Sequence, residues 1–270
     1  MSNLPVYITT FLAYGALSVI FLRAQFACNA ETLNRGIWGN AVLLPLVLHG
    51  YLLYSNLWQA GALNLGLVQA ISLIWWLTIL VYWLAHFFYP LASLKALVLP
   101  LAAVGAVLPL LFDGSRAMPQ ASSWAFDAHV LAAMLAYSLF TIAALHAGLM
   151  SLVERSLHHA RLPAILCNLP PLLTMEKLLF RILAAGFILL TLTLISGAIF
   201  SEEIFGKAWQ FNHKVLFGLI SWLVFAILLA GHHFYGWRGR TAVSWTMSGF
   251  GFLVLAYIGS KFVLEVILHR

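Results

Sequence analysis

The chain has 270 residues, of which 63% are hydrophobic and only 8% are charged, and its mean hydropathy is +0.97. A water-soluble domain carries about 25% charged residues, because polar groups must cover its surface. So low a charge content excludes a soluble globular domain and predicts that lipid solvates most of this chain. The net charge of +6 therefore indicates basic cytoplasmic loops rather than nucleic-acid binding.

Long apolar runs cover most of the chain, and a helix that crosses a bilayer needs about 20 mostly apolar residues. The runs are Val6–Gln25, Ala41–Ser55, Leu65–Phe88, Leu91–Phe112, Phe126–Leu149, Leu178–Phe200, Lys214–Tyr235 and Ala242–Leu268. The second run is the shortest and is interrupted by Pro45 and His49. We predict an all-α polytopic membrane protein of about eight transmembrane helices, with residues 1–270 forming a single integral membrane domain.

Lysine and arginine residues divide unevenly between the two sides of such a bundle. The first, third, fifth and seventh connections together carry nine of them, and the opposite side, which includes both termini, carries five. Because cytoplasmic loops are enriched in Lys and Arg, both termini are predicted on the outer (periplasmic) side. The fourth and sixth connections, 113–125 and 201–213, then also lie outside.

The two cysteines, Cys28 and Cys167, both fall on the predicted inner side and form no C-x-x-C pair. Disulfides are rare in that compartment, and the spacing argues against a thiol–disulfide relay and against covalently attached haem. We therefore expect both to be small buried apolar residues.

Ten histidines stand out in a chain so poor in charge, because ionisable residues inside a membrane are costly and often functional. Counting along the spans places His129 and His213 at the outer starts of the fifth and seventh, and His49 within the second. Three more histidines fall towards the inner ends of spans: His86, His146 and His232. Neutral imidazoles on facing helices suit haem iron, whereas zinc prefers a closer Cys/His/Asp cluster than any present here. A hydrogen-bonded or interfacial role stays open for each histidine.

The sixth connection, FGKAWQFNHK at 205–214, has aromatic residues at alternate positions and becomes basic as the next helix begins. Interfacial aromatics are ordinarily belt residues. Together with His213, however, Trp209 and Phe211 could contact a planar apolar ring. Lys214 and the helix N-terminus favour an anion such as a propionate. This connection is therefore a candidate edge of a haem site.

Motifs of soluble catalysis do not occur in the chain: there is no P-loop, H-E-x-x-H, G-x-S-x-G or G-x-G-x-x-G. These patterns carry phosphate cradling, metal ligation and nucleophilic chemistry in many enzymes. We expect a protein that binds and presents a ligand rather than an enzyme.

Several segments together resemble the cytochrome c assembly family, which includes CcsA and the HemX-like proteins. Residues 205–214, followed by Trp222 and the Phe-Ala-Ile at 225–227, resemble the family segment W-G-x-x-W-x-W-D-P-K-E and the helix after it. Phenylalanine stands at two of its tryptophan positions, and His213 stands where the family has proline. Residues 124–137 resemble the family's H-V…Y segment.

The resemblance covers nearly the whole chain and is strongest over 124–268. Residues 64–75 resemble the small YpjD-type inner-membrane members of the family. The resemblance implies a haem-binding or haem-handling protein of the bacterial inner membrane, related to cytochrome c biogenesis factors. Such a protein would hold or present haem b at the outer face.

The resemblance also implies site residues and partners. His129 matches a family histidine that ligates haem upstream of the aromatic loop, and the downstream one would fall near His269. His49, and His232 or His233, lie near the family's intramembrane histidines. The expected cofactor-binding residues are His129, His213, Trp209, Phe211, Lys214, His49 and His232, with His129 and His213 as metal ligands. Expected partners are haem, the lipid bilayer and other membrane or cytochrome c maturation proteins. The alternative is a non-catalytic accessory or transporter-associated membrane subunit without a cofactor.

Overall fold

A computed structural model of the chain describes residues 3–59, 62–89, 92–112, 117–118, 124–158, 169–205 and 213–259. Apart from three very short strands, the regular structure in these ranges is helical. The helices are α1 (Leu4–Phe26), α2 (Ala30–Arg35), α3 (Ile37–Asn40), α4 (Leu43–Leu57), α5 (Leu67–Ala85), α6 (Ala92–Leu111), α7 (Trp124–His158), α8 (Leu172–Phe205), α9 (His213–Tyr235) and α10 (Gly239–Val254). A π-helical turn, Leu255–Gly259, continues α10.

Seven helical segments within the described ranges are long and apolar enough to cross a membrane. They coincide with the first seven predicted runs, so the helical, multi-pass class is confirmed. Helices α7 and α8 are longer than predicted, with 35 and 34 residues, because their polar ends continue the helix beyond the apolar run. The eighth run is described only as far as Gly259. A total of eight spans and the side of the termini remain predictions.

The chain divides into two compact units: unit 1 comprises residues 1–120 and 155–171, and unit 2 comprises 121–154 and 172–270. In unit 1, α1 and α5 each pack against both α4 and α6, so four spans form a closed bundle. Its largest fully buried side chains include Tyr14, Phe21, Leu52 and Leu99. One cation is buried with them: Lys95 donates to the Gly39 carbonyl at 3.1 Å, so it holds α3 against α6.

A small antiparallel sheet lies in unit 1. Strand β1 (Trp58–Gln59) pairs with β2 (Ala62–Asn64), and β2 pairs with β3 (Ala117–Met118). Sequence analysis missed this sheet, because strands of two or three residues are too short to show an alternating pattern.

The prediction for the cysteines was wrong at Cys28. This residue is exposed rather than buried, and it is disulfide-bonded. Its backbone has a φ of 56°, in the left-handed region that few side chains other than Asn and Asp adopt. Cys167 lies outside the described residues.

In unit 2, the helices run antiparallel to their neighbours. Helix α9 packs against α8 and α10. Helix α7 joins them through Phe140, whose ring stacks on Phe225 at 4.0 Å, and through Tyr137, whose hydroxyl donates to the Leu253 carbonyl at 2.9 Å. Because α7 and α9 begin at the same end at which α8 and α10 finish, side chains from all four helices meet there.

Gly249 lies at a close approach between α9 and α10. Its carbonyl accepts a hydrogen bond of 2.9 Å from Ser221, and a Cβ added here would lie 2.8 Å from the Phe225 ring. Small residues of this kind let membrane helices approach each other.

Replacing Gly249 with valine is expected to lower the free energy of unfolding in detergent by about 1–3 kcal/mol, because Phe225 is fully buried and cannot move aside. The check is the melting temperature of the purified protein. Gly251→Val is the matched control, since nothing lies within 4 Å of a Cβ at that position. Equal melting temperatures for the two variants would contradict the close approach.

Candidate functional site

The candidate site lies at one end of unit 2, which we call the His129 end. It comprises the first turns of α7 and α9, residues 194–205 of α8, and the last turn of α10 with the π-helical turn after it. Three residues that sequence analysis selected, His129, His213 and Lys214, lie at this end.

His129 is held by a hydroxyl of the neighbouring helix. Its Nδ1 lies 2.7 Å from the Oγ of Ser196, and that same Oγ donates to the carbonyl of Leu192 at 2.7 Å. The Phe126 ring lies 6.3 Å from the imidazole, centroid to centroid. Gly197 leaves the room that the imidazole occupies, because a Cβ there would approach the Cε1 of His129 to 3.3 Å.

Lys214 places a positive charge in this region. Its Nζ lies 5.3 Å above the centre of the Tyr257 ring, a geometry of cation–π attraction. The Tyr257 ring in turn lies 5.8 Å from the ring of Tyr137. Tyr257 is carried by the π-helical turn, and single π-turns inside helices are frequent at functional sites.

His213 is the first residue of α9 and is exposed. It therefore lies at a helix N-terminus, next to Lys214, as the sequence predicted. The predicted ring contacts Trp209 and Phe211 lie outside the described residues. The structure places His129 and Lys214 at the same end of unit 2, and His213 beside Lys214.

His232 belongs to the opposite end of unit 2. Its imidazole stacks on the Phe180 ring with centroids 3.4 Å apart, and its Nδ1 donates to the Trp237 carbonyl at 2.9 Å. Gly231 allows this turn to close, since Trp237 packs where its side chain would be. His232 is thus not part of the His129 end.

His49 lies in unit 1, and its side chain is 0% exposed. Its Nε2 lies 2.9 Å from the hydroxyl oxygen of Ser72, and its Nδ1 lies 3.5 Å from that of Tyr14. Both ring nitrogens therefore have hydroxyl partners, as expected of a polar side chain deep in an apolar bundle.

Within the described ranges, no three His, Cys, Asp or Glu side chains are grouped as metal ligands. The chemistry that the His129 end can supply is instead that of one oriented imidazole with a nearby cation and aromatic rings.

Comparison with known proteins identifies the family. The sequence pattern of the cytochrome c assembly proteins matches residues 38–268, which include the described histidines of the candidate set. The chain belongs to this family. The predicted resemblance is thereby confirmed.

Individual members of the family match over shorter stretches. The inner membrane protein YpjD of Escherichia coli (strain K12) is 34% identical over 139 residues, which are 52% of this chain and 52% of YpjD. The cytochrome c biogenesis protein CcsA of Prochlorococcus marinus (strain NATL1A) is 38% identical over 95 residues, or 35% of this chain and 30% of that protein. The CcsA of a Synechocystis species is 37% identical over 86 residues, or 32% and 26%.

The chain thus spans about half the length of YpjD and less of CcsA. Its apolar helices and its similarity to an inner membrane protein confirm the predicted multi-pass location in the inner membrane.

Sequence analysis of this family member did not select Ser196 and Tyr257 as residues of the His129 end, nor Tyr137 as the packing partner of Tyr257. Ser196 follows Thr191 and Thr193 in the same apolar run, and such hydroxyl residues often bond only their own helix backbone. The feature of the sequence that could have selected Ser196 is its polar side chain, which lies near the end of α8 and so at the same end of unit 2 as the start of α7. Only the packing of α8 against α7 identifies its partner as His129.

Proposed function

We propose that this chain binds haem at the His129 end of unit 2 and holds or presents it during cytochrome c assembly. The main support is the imidazole of His129, which Ser196 orients at the same end of unit 2 as the charge of Lys214, in a member of this family. The names of the relatives, a cytochrome c biogenesis protein among them, support the process.

The residues present fit a haem group by their chemistry. Neutral imidazole is a common ligand of haem iron, and His129 and His213 would be the residues that ligate the iron. Lys214 would attract a propionate, aided by the N-terminus of α9. Trp209 and Phe211 are the proposed ring contacts. When bound, haem would supply an iron centre, here proposed as haem b, that two imidazoles can ligate.

His49 and His232 stay in the proposal as family-based candidates for haem contact elsewhere in the chain. His49 would have to give up its bonds to Ser72 and Tyr14 before either nitrogen could ligate iron. In a neutral imidazole of His232 the lone pair is on Nε2, because its Nδ1 donates to a carbonyl. The His129 end is therefore the primary proposed site.

The proposed role is binding and presentation without bond-making, at the outer face of the inner membrane. The distribution of Lys and Arg supports this side. Proposed partners are other membrane or cytochrome c maturation proteins, which would receive or deliver the haem.

An absorption spectrum of the detergent-purified chain tests this function. After expression with ample haem and reduction by dithionite, we expect a Soret band with sharp α and β bands, typical of haem with two imidazole ligands. A colourless protein that also fails to bind added haemin would contradict the proposal. That result would favour an accessory membrane subunit without a cofactor.

A further inference from the structure

We infer that Ser196 is a positioning residue, whose hydroxyl fixes the tautomer of His129 so that Nδ1 carries the proton and Nε2 carries the lone pair. This inference rests on the proposed haem function, because a defined lone pair matters only if His129 ligates iron. The experiment below distinguishes a failure of haem binding from a failure of the positioning role of Ser196.

The hydroxyl of Ser196 has a single proton, and the distances from its oxygen to neighbouring atoms show which acceptor that proton faces. Its Oγ lies 2.7 Å from the carbonyl oxygen of Leu192 and 3.3 Å from that of Thr193. A carbonyl can only accept. If the proton pointed to the imidazole instead, two oxygens would face each other at 2.7 Å without a hydrogen between them. The hydroxyl therefore donates to Leu192.

The bond to His129 then has only one possible direction. Because the proton of Ser196 is committed to a carbonyl, its Oγ can only accept at the 2.7 Å contact with Nδ1. The imidazole must donate, so Nδ1 is protonated. In a neutral imidazole the other nitrogen then holds the lone pair.

Helix α8 contains a second hydroxyl that is hydrogen-bonded to a ring nitrogen, and there chemistry alone fixes which group donates. The Nε1 of Trp222 donates to the Oγ1 of Thr191 at 2.9 Å, and that hydroxyl donates to the Phe187 carbonyl at 2.8 Å. An indole N–H can only donate. Thr191 and Ser196 thus share one arrangement, in which a hydroxyl donates to the carbonyl four residues earlier and accepts from a ring N–H of a neighbouring helix.

An N–H bond of this kind is the usual support of a metal-ligating histidine. It sets the tautomer and ring orientation and raises the basicity of the ligating nitrogen, and its loss typically weakens metal binding about 10- to 100-fold. A more basic ligand favours ferric over ferrous iron. Removing the bond should therefore raise the midpoint potential of bound haem.

The test compares Ser196→Ala with Thr191→Val, which removes the matching hydroxyl without touching His129. We expect Ser196→Ala to weaken haemin binding about 10- to 100-fold and to raise the midpoint potential. Ser196→Thr, which keeps the hydroxyl, and Thr191→Val should both match the wild type. Haemin affinity is measured by titrating each protein after its haem has been removed, and the midpoint potential is measured by redox titration of the haem-bound form. Melting temperatures show whether each variant is folded.

Each outcome decides one of the two claims. If the wild type binds no haemin, the proposed function fails and the inference fails with it. If the wild type binds haemin but Ser196→Ala and Thr191→Val behave alike, Ser196 has no positioning role and the function stands. If Ser196→Ala is too unstable to purify, Ser196→Cys, which keeps the size but is a weak acceptor, must show the same rise in potential. An unchanged potential would overturn the inference.

Discussion

Replacing His129 with alanine is expected to remove most of the haem that the purified protein carries and to weaken haemin binding by roughly 100-fold or more, because the loss of a ligand exceeds the typical effect of losing its supporting hydrogen bond. The measurement is the haem-to-protein ratio from the reduced absorption spectrum, followed by haemin titration. Added imidazole should restore part of the binding, since it can occupy the space that the side chain leaves.

His233→Ala is the matched control for that variant. His233 also belongs to unit 2 and lies at the opposite end of α9, where it is exposed. Its removal should leave the haem content unchanged. Equal haem contents in His129→Ala and His233→Ala would show that His129 is not a ligand, whereas a colourless wild type would reject the proposed function itself.

Replacing Phe140 with alanine is expected to lower the free energy of unfolding by about 3–5 kcal/mol, which is more than the loss expected for Gly249→Val. The side chain is 0% exposed, stacks on Phe225 at 4.0 Å and packs over Gly186. Lipid is as apolar as a protein core, so the cost arises from lost packing contacts and a cavity rather than from exposure to water.

Leu131→Ala on the same helix is the control for this packing effect, because Leu131 is 54% exposed and should cost less than about 0.5 kcal/mol. Melting temperatures in one detergent, with unfolding in denaturant to obtain free energies, provide the comparison. Similar losses for the two variants would mean that the Phe140–Phe225 stack does not hold α7 to α9.

The spans were the most predictable part of this protein. Each of the first seven needs only a long apolar run, since every backbone group inside a membrane must bond within its own helix. The residues at which the helices begin and end were less predictable. Helix α8 begins at Leu172, six residues before the predicted start at Leu178, because helix formation continues into the interfacial region.

Histidine placement along the chain was predictable, but the histidine partners were not. His129 and Lys214 share the His129 end, as counting along the spans predicted. His49 was predicted within the second span, but its position in the sequence did not show that it lies in unit 1 with hydroxyls at both ring nitrogens. The exposed, disulfide-bonded Cys28 was wrongly predicted as buried, because that expectation followed from the predicted side of the membrane and not from packing.

By itself, the sequence determined that this is a multi-pass helical protein of the cytochrome c assembly family, with imidazoles and a cation near the starts of α7 and α9. The tertiary structure alone decided which side chains meet: Ser196 with His129, Lys214 with Tyr257, and Phe140 with Phe225. The physical reason is that a membrane helix is apolar on the sides that face lipid and on those that face protein alike. The apolar period that reveals the buried face of a soluble helix is therefore weak here, and contacts between helices become visible only in the packed structure.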